Sequence, residues 1–251
     1  MEKYITPILK NNKCFILAYD HGFSYHSLES LDAKNAQPDY IFDIATEGGF
    51  TGIVLHKGLA EYFKNTNYAN KIPLIIKLDG NTSLVKTYDP RSINLCSVSY
   101  AKKLGAVAVG YTIYLGSEFE KEMLEQFSQI QEEAHRLKMG VIAWIYPRGK
   151  NISNENNDKL TKFAVRVGLE IGADMVKINL PQNLAILQEV LALGGPMKIA
   201  LAGGEKMPEP MFLDLVKESM MKGVNGFIIG RNIWQCDKPI EFAQKITKII
   251  W

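Results

Sequence analysis

A lysine stands in the middle of an otherwise apolar run, Met175-Val176-Lys177-Ile178. Burying its ammonium disfavours the charged form and lowers the amine's pKa. A neutral primary amine is a nucleophile toward a carbonyl carbon. The alternative is a lysine held in an ion pair along the core wall. Buried lysines are rare, and rarity favours a functional role. Tyr146 and Asp20 are candidates for proton transfer. The phenol suits that task where a nearby cation, Arg148 or Lys177, lowers its pKa; a tyrosine at a strand end also serves simply as packing. Trp144 lies two residues before Tyr146, so in a strand it shares that face and walls the same pocket.

Two glycine-containing pairs suit an anion. Gly203-Gly204 and Gly230-Arg231 offer close backbone approach and one guanidinium fork. Read singly, they are two glycine turns and a surface arginine. A metal site is not expected. His21, His26 and His56, with Asp20 or Asp79, include the right residue types, but no HxH or HExxH spacing sets two ligands on one face. His135 falls on a helix, where it reads as solvated. Cys14, Cys96 and Cys236 are odd in number and form no CxxC, which speaks against a disulfide framework and a zinc site.

These residues sit on a regular alternation of elements. Eight short apolar runs read as strands, at residues 14–20, 52–56, 74–78, 106–111, 141–146, 175–179, 198–202 and 226–230. Helical periodicity covers residues 39–47, 117–139, 156–171, 182–193, 208–222 and 239–249. Ser117 followed by Glu120 has the capping-box spacing. Gly105, Gly172 and Gly223 are placed to end helices ahead of strands. Eight strands alternating with helices predict one (β/α)8 TIM barrel spanning residues 1–251, an α/β fold. An open doubly wound sheet is the runner-up, but the first strand ends in Asp20-His21-Gly22 rather than a glycine-rich nucleotide turn.

Length and charge narrow the function classes. The 251 residues match the size of one barrel, and 47% hydrophobic with 22% charged residues excludes a disordered or collagen-like chain. The net charge is +2 without a basic block, so no nucleic-acid partner is expected. Strand-sized apolar runs predict no membrane span, and the N-terminus lacks a signal-type apolar region. A reducing, cytoplasmic location is therefore expected. The apolar end Ile249-Ile250-Trp251 suits either a cap on the barrel or a subunit interface.

In a barrel the active site gathers at the C-terminal strand ends. That rule brings Asp20, His21, Trp144, Tyr146, Arg148, Lys177, Asn179, Gly203, Gly204, Gly230 and Arg231 to one mouth. The glycine pairs then follow the seventh and eighth strands, where barrels often hold phosphate. Lys57, Lys77, Asp79 and Lys206 fall at the same end, with roles the sequence leaves open.

Taken together, the chain resembles the archaeal-type class I fructose-1,6-bisphosphate aldolases, within the Schiff-base barrel aldolases. The resemblance rests on Asp20-His21-Gly22, Trp144-Ile145-Tyr146-Pro147-Arg148-Gly149, the Lys177 strand, Gly203-Gly204, and Gly230-Arg231-Asn232-Ile233-Trp234-Gln235, along with residues 109–117. It runs from about residue 13 to 236, with WxYPRG and GRNxWQ the most specific segments. It implies that Lys177 forms the Schiff base, Tyr146 exchanges the proton of the bond-cleaving step, and Asp20 assists carbinolamine chemistry. It also implies that Trp144 and His21 shape the site. Gly203, Gly204, Gly230 and Arg231 would hold one phosphate of a phosphorylated sugar, with Arg148 at its other end. No cofactor is implied, and the family is often a homo-oligomer, a decamer. The nearest competitor is a 2-amino-3,7-dideoxy-D-threo-hept-6-ulosonate synthase-like transaldolase with a YPRG-like segment. A thiolase-like relative and a non-catalytic sugar-phosphate-binding barrel are further alternatives.

Overall fold

Apolar residues that recur at alternate positions in consecutive strands can fill a closed sheet from within. The computed structural model describes residues 2–24, 31–82, 89–154 and 157–251. Its barrel strands are β1 (Cys14–Ala18), β2 (Gly52–Leu55), β3 (Leu74–Lys77), β4 (Ala108–Leu115), β5 (Gly140–Pro147), β6 (Met175–Ile178), β7 (Lys198–Ala202) and β8 (Gly226–Ile229). All neighbours are parallel, and β8 returns to pair with β1, closing the barrel. The open-sheet alternative is thereby excluded.

The sequence periodicity accounts for two separate apolar layers. Ile16, Val54, Ile75, Ala108, Ile142, Met175, Ala200 and Ile228 meet inside the barrel, while the intervening strand residues pack outward against the helices. Lys177 shares inward parity with Met175, two residues before it, and pairs in register with Trp144 on β5 and Ala200 on β7. The N-terminal mouth is closed by Ile5 and Ile8, both fully buried in the inner layer. The C-terminal end does something else: Ile250 is buried in the outer layer, and the Lys10 ammonium lies over the Trp251 ring.

Each strand is followed by a helix: α1 (Pro38–Glu47), α2 (Lys57–Lys64), α3 (Val98–Lys103), α4 (Glu120–Arg136), α5 (Asp158–Glu170), α6 (Leu187–Gly194), α7 (Glu209–Met221) and α8 (Pro239–Ile250). Gly105, Gly172 and Gly223 each follow a helix at positive φ, as the sequence implies. α2 and α3, of eight and six residues, are too short to stand out as periodic segments.

Several boundaries differ from the sequence reading: the helix expected at 182–193 begins only at Leu187, and β1 ends at Ala18 rather than at residue 20. β4 and β5 extend to eight residues because they pair continuously from Ala108↔Gly140 to Leu115↔Pro147. A two-stranded antiparallel ribbon, Asp79–Gly80 with Ile93–Asn94, follows β3. α4 begins at Glu120 rather than at residue 117. There the Ser117 hydroxyl accepts from the Phe119 N–H, and the Glu120 carboxylate accepts from the Gly116 N–H, so both groups shape the preceding loop. His135 also departs from expectation. It is half-buried, and its Nε2 lies 2.9 Å from the fully buried Asp174 carboxylate, which also accepts the Val141 N–H.

Candidate active site

The C-terminal mouth of the barrel opens into a cavity of about 440 Å³. Asp20, His21, Trp144, Tyr146, Arg148, Lys177, Gly203, Gly204, Gly230 and Arg231 all line it. So do Lys77, Asp79 and Asn179. Lys57, exposed at the start of α2, and Lys206, whose Nζ donates to the Gln235 carbonyl, are not among the lining residues. His26 lies outside the described residues.

Lys177 emerges near the top of β6 and is 7% exposed. Its Nζ is 5.7 Å from the centre of the Trp144 ring, and the Lys77 Nζ is also 5.7 Å from that centre. Burial, reinforced by the cations Lys77 and Arg231 and opposed by Asp20, pulls the Lys177 amine from 10.5 to about 8. At neutral pH that leaves roughly 300-fold more free amine than an ordinary lysine offers.

Asp20 balances opposite influences. Burial alone would raise its pKa, but His21, Lys177, Lys77 and His56 together hold it at about 2. It is therefore a carboxylate that shares the cavity with an amine whose pKa is lowered. The His21 Nδ1 lies 3.5 Å from the Asp20 Oδ1, and the His56 Nε2 lies 3.2 Å from the Asp20 carbonyl oxygen. Burial lowers the imidazole of His21 to about 4 against the pull of Asp20, with Lys177, Arg231 and Lys77 adding to the fall. The ring is thus neutral at pH 7.

A second charge pair completes this wall. The Lys77 Nζ donates to the Asp79 Oδ2 at 2.8 Å, and the Asp79 Oδ1 accepts the Thr112 N–H at 2.8 Å. Both side chains are buried. Thr112, Tyr114, Trp144 and Tyr146 line the cavity beside this pair, with the two tyrosine rings 6.4 Å apart. The buried Trp144 Nε1–H has no acceptor among the described residues.

The glycine-rich side is held by a residue whose role the sequence did not expose. The Asn232 Nδ2 donates to the carbonyls of Gly203 and Glu205, each at 2.9 Å, and its Oδ1 accepts the Met207 N–H at 3.0 Å. Asn232 therefore ties the loop after β7 to the short Arg231–Trp234 helix after β8. Gly204 has φ +68°, a conformation suited to glycine. At Gly230 a Cβ would lie 2.3 Å from the His21 ring and 2.8 Å from the Ala18 carbonyl. Trp234 anchors the same helix by donating its Nε1–H to that carbonyl at 3.2 Å. The arrangement presents backbone and guanidinium groups on one side of the cavity, the amine–carboxylate pair in its wall, and Arg148 beyond Tyr146.

Comparison with known proteins places the chain in a family. Residues 14–236 match the DeoC/LacD family of aldolases. The class 1 fructose-bisphosphate aldolase of Thermoproteus tenax is 35% identical, over 100% of this chain and 94% of its own length. The 2-amino-3,7-dideoxy-D-threo-hept-6-ulosonate synthase 1 of Archaeoglobus fulgidus is 31% identical, over 98% of this chain and 89% of its own. Among solved structures, an archaeal fructose-1,6-bisphosphate aldolase with its catalytic Lys covalently bound to the carbinolamine intermediate of the substrate superposes with a TM-score of 0.92. It is 34% identical, with 99% of this chain and 98% of that one covered. The chain belongs to the DeoC/LacD aldolase family, among its archaeal-type class I fructose-bisphosphate aldolases.

Proposed function

We propose that this chain reversibly cleaves fructose 1,6-bisphosphate to dihydroxyacetone phosphate and glyceraldehyde 3-phosphate through a Schiff base on Lys177. The observation that carries the assignment is the Lys177 amine, buried on an inward position of β6 and lining one cavity with Asp20, Tyr146 and the two glycine pairs. The free amine adds to the ketose C2 carbonyl, and Asp20 relays the protons by which the carbinolamine loses water. The resulting protonated imine is an electron sink for the C3–C4 bond. Tyr146 removes the C4 hydroxyl proton as that bond breaks, releasing glyceraldehyde 3-phosphate and leaving an enamine. Protonation of C3 and hydrolysis of the imine then free dihydroxyacetone phosphate and regenerate Lys177.

Gly203, Gly204, Gly230 and Arg231 bind the phosphate nearest the carbonyl, through backbone N–H groups and the guanidinium. Arg148 takes the phosphate at the other end. Trp144 walls the site and offers its unpaired N–H to a ligand oxygen, while neutral His21 packs beneath Gly230 beside the substrate. The same reading assigns the enzyme to glycolysis and gluconeogenesis in the cytoplasm, as a homo-oligomer. No helix among the described residues is long and apolar enough to cross a membrane.

The test is product analysis with the purified chain. Fructose 1,6-bisphosphate should yield both triose phosphates, and Arg231→Met should raise KM by about tenfold or more through loss of a charge-assisted contact. Inertness toward the bisphosphate, with turnover of an aspartate-semialdehyde partner, would select the synthase reading instead. Binding without any turnover would select a sugar-phosphate-binding barrel.

A further inference from the structure

Asp89 stands outside the cavity, yet its carboxylate holds two of the loops that shape it. It is 1% exposed and follows β3. Its Oδ2 accepts the Glu118 N–H at 2.9 Å, from the loop after β4, and its Oδ1 accepts the Lys150 N–H, from the loop after β5. The next residue adds a rung, since the Ser117 Oγ donates to the Pro90 carbonyl at 2.7 Å. The two held loops also abut directly. A Cβ on Gly149 would lie 2.3 Å from the Gly116 carbonyl oxygen, so position 149 has no room for a side chain.

Arg148 sits at the centre of this clamp. Its own N–H donates to the Leu115 carbonyl at 2.9 Å, one residue before Gly149 packs on Gly116 and two before Lys150 reaches Asp89. Both the strand side and the loop side of Arg148 are therefore fixed by contacts away from the ligand. The two N–H donors also hold the Asp89 carboxyl below its ordinary pKa, against the opposing effect of burial, so it stays an ionised acceptor.

We propose that Asp89 is a positioning residue that places Arg148 for the phosphate remote from Lys177, and so sets the preference for a bisphosphate over a monophosphate ketose. This rests on the assignment of Arg148 to that phosphate. A small displacement of a substrate-positioning group is enough to produce a large kinetic effect. An effect transmitted through Arg148 must vanish with a substrate that lacks the remote phosphate, whereas general loosening of the fold must not.

The experiment compares kcat and KM for fructose 1,6-bisphosphate and fructose 1-phosphate in the wild-type chain, Asp89→Ala, Asp89→Asn, Arg148→Met and the Asp89→Ala/Arg148→Met double variant. Asp89→Ala should raise KM for the bisphosphate roughly tenfold or more while leaving both constants for fructose 1-phosphate within about twofold. Asp89→Asn keeps one acceptor oxygen and should fall between, which secures the test if the alanine variant folds poorly. The double variant should be no worse than Arg148→Met. Equal losses on both substrates, or an unchanged preference in both Asp89 variants alongside a lost preference in Arg148→Met, overturn the positioning role. An unchanged preference in Arg148→Met overturns the phosphate assignment on which it rests.

Discussion

The Trp144 indole lies against the bare backbone of Gly110, where a Cβ would come within 1.5 Å of Cζ3 and 2.0 Å of Cη2. Both residues are on inward-facing positions, Gly110 on β4 in register with Lys77 on β3, and Trp144 on β5 in register with Lys177 on β6. The missing side chain at 110 thus makes room for the ring that two lysine ammonium groups approach, each at 5.7 Å. Gly110→Ala must push the indole toward the cavity or distort β4. Overpacking of this kind costs about 1–3 kcal/mol, which denaturant unfolding will measure. Displacement of the ring should lower kcat by roughly tenfold or more. Wild-type activity and stability in that variant would contradict the packing described.

The Lys77–Asp79 pair is buried at both ends, so its halves are not separately dispensable. Lys77→Met leaves the Asp79 carboxylate without its cation, a change worth about 3–5 kcal/mol of destabilisation for a buried pair. Asp79→Asn in the same chain removes the stranded charge and preserves an acceptor for the Thr112 N–H. The double variant should therefore recover most of the loss. Equal stability of Lys77→Met and the wild type in urea unfolding would show that the pair is not coupled.

Two pH effects follow, one on the rate of the covalent step and one on stability. Imine formation needs the free amine, so its single-turnover rate should rise with pH up to about 8 and then level, rather than climbing toward 10.5. The inflection should move up in Lys77→Met, because the Lys77 charge helps to hold the Lys177 amine down.

Stability in acid is governed by the neighbours of that amine. His21 titrates at about 4 in the folded chain and at 6.5 when unfolded, so below 6.5 the unfolded state binds more protons. Folding free energy should thus fall as pH drops from 6.5 to 4. The depressed Asp20 adds a second loss between 3.8 and about 2. Replacement His21→Gln should flatten the upper part of this profile in denaturation midpoints measured across pH. A slope identical to wild type would rule His21 out as its source.

Much of the site was legible because barrel geometry converts sequence position into place. Counting strands puts Asp20, Tyr146, Lys177, Gly203 and Arg231 at one mouth, and all five line one cavity. What stayed hidden depended on partners distant in sequence. Asn232 lies inside the GRNxWQ segment, but its function as a tie appears only when residues 203–207 are seen beside it. His135 reads as a solvated helix residue because nothing near it announces Asp174, 39 positions away. The charges of Lys77 and Asp79 had no assignable role until the register showed them facing the Trp144 ring and Thr112. Asp89 carried no signal at all, since a carboxylate before a proline is ordinary loop chemistry.

Borohydride reduction in the presence of fructose 1,6-bisphosphate, followed by peptide mass spectrometry, tests the central claim directly. The imine is converted to a stable secondary amine wherever it forms. The account predicts one substrate-derived adduct, on the peptide carrying Lys177, and its disappearance together with cleavage activity in Lys177→Ala. A folded chain that cleaves the bisphosphate yet carries no adduct on Lys177, or that stays active as Lys177→Ala, would contradict it.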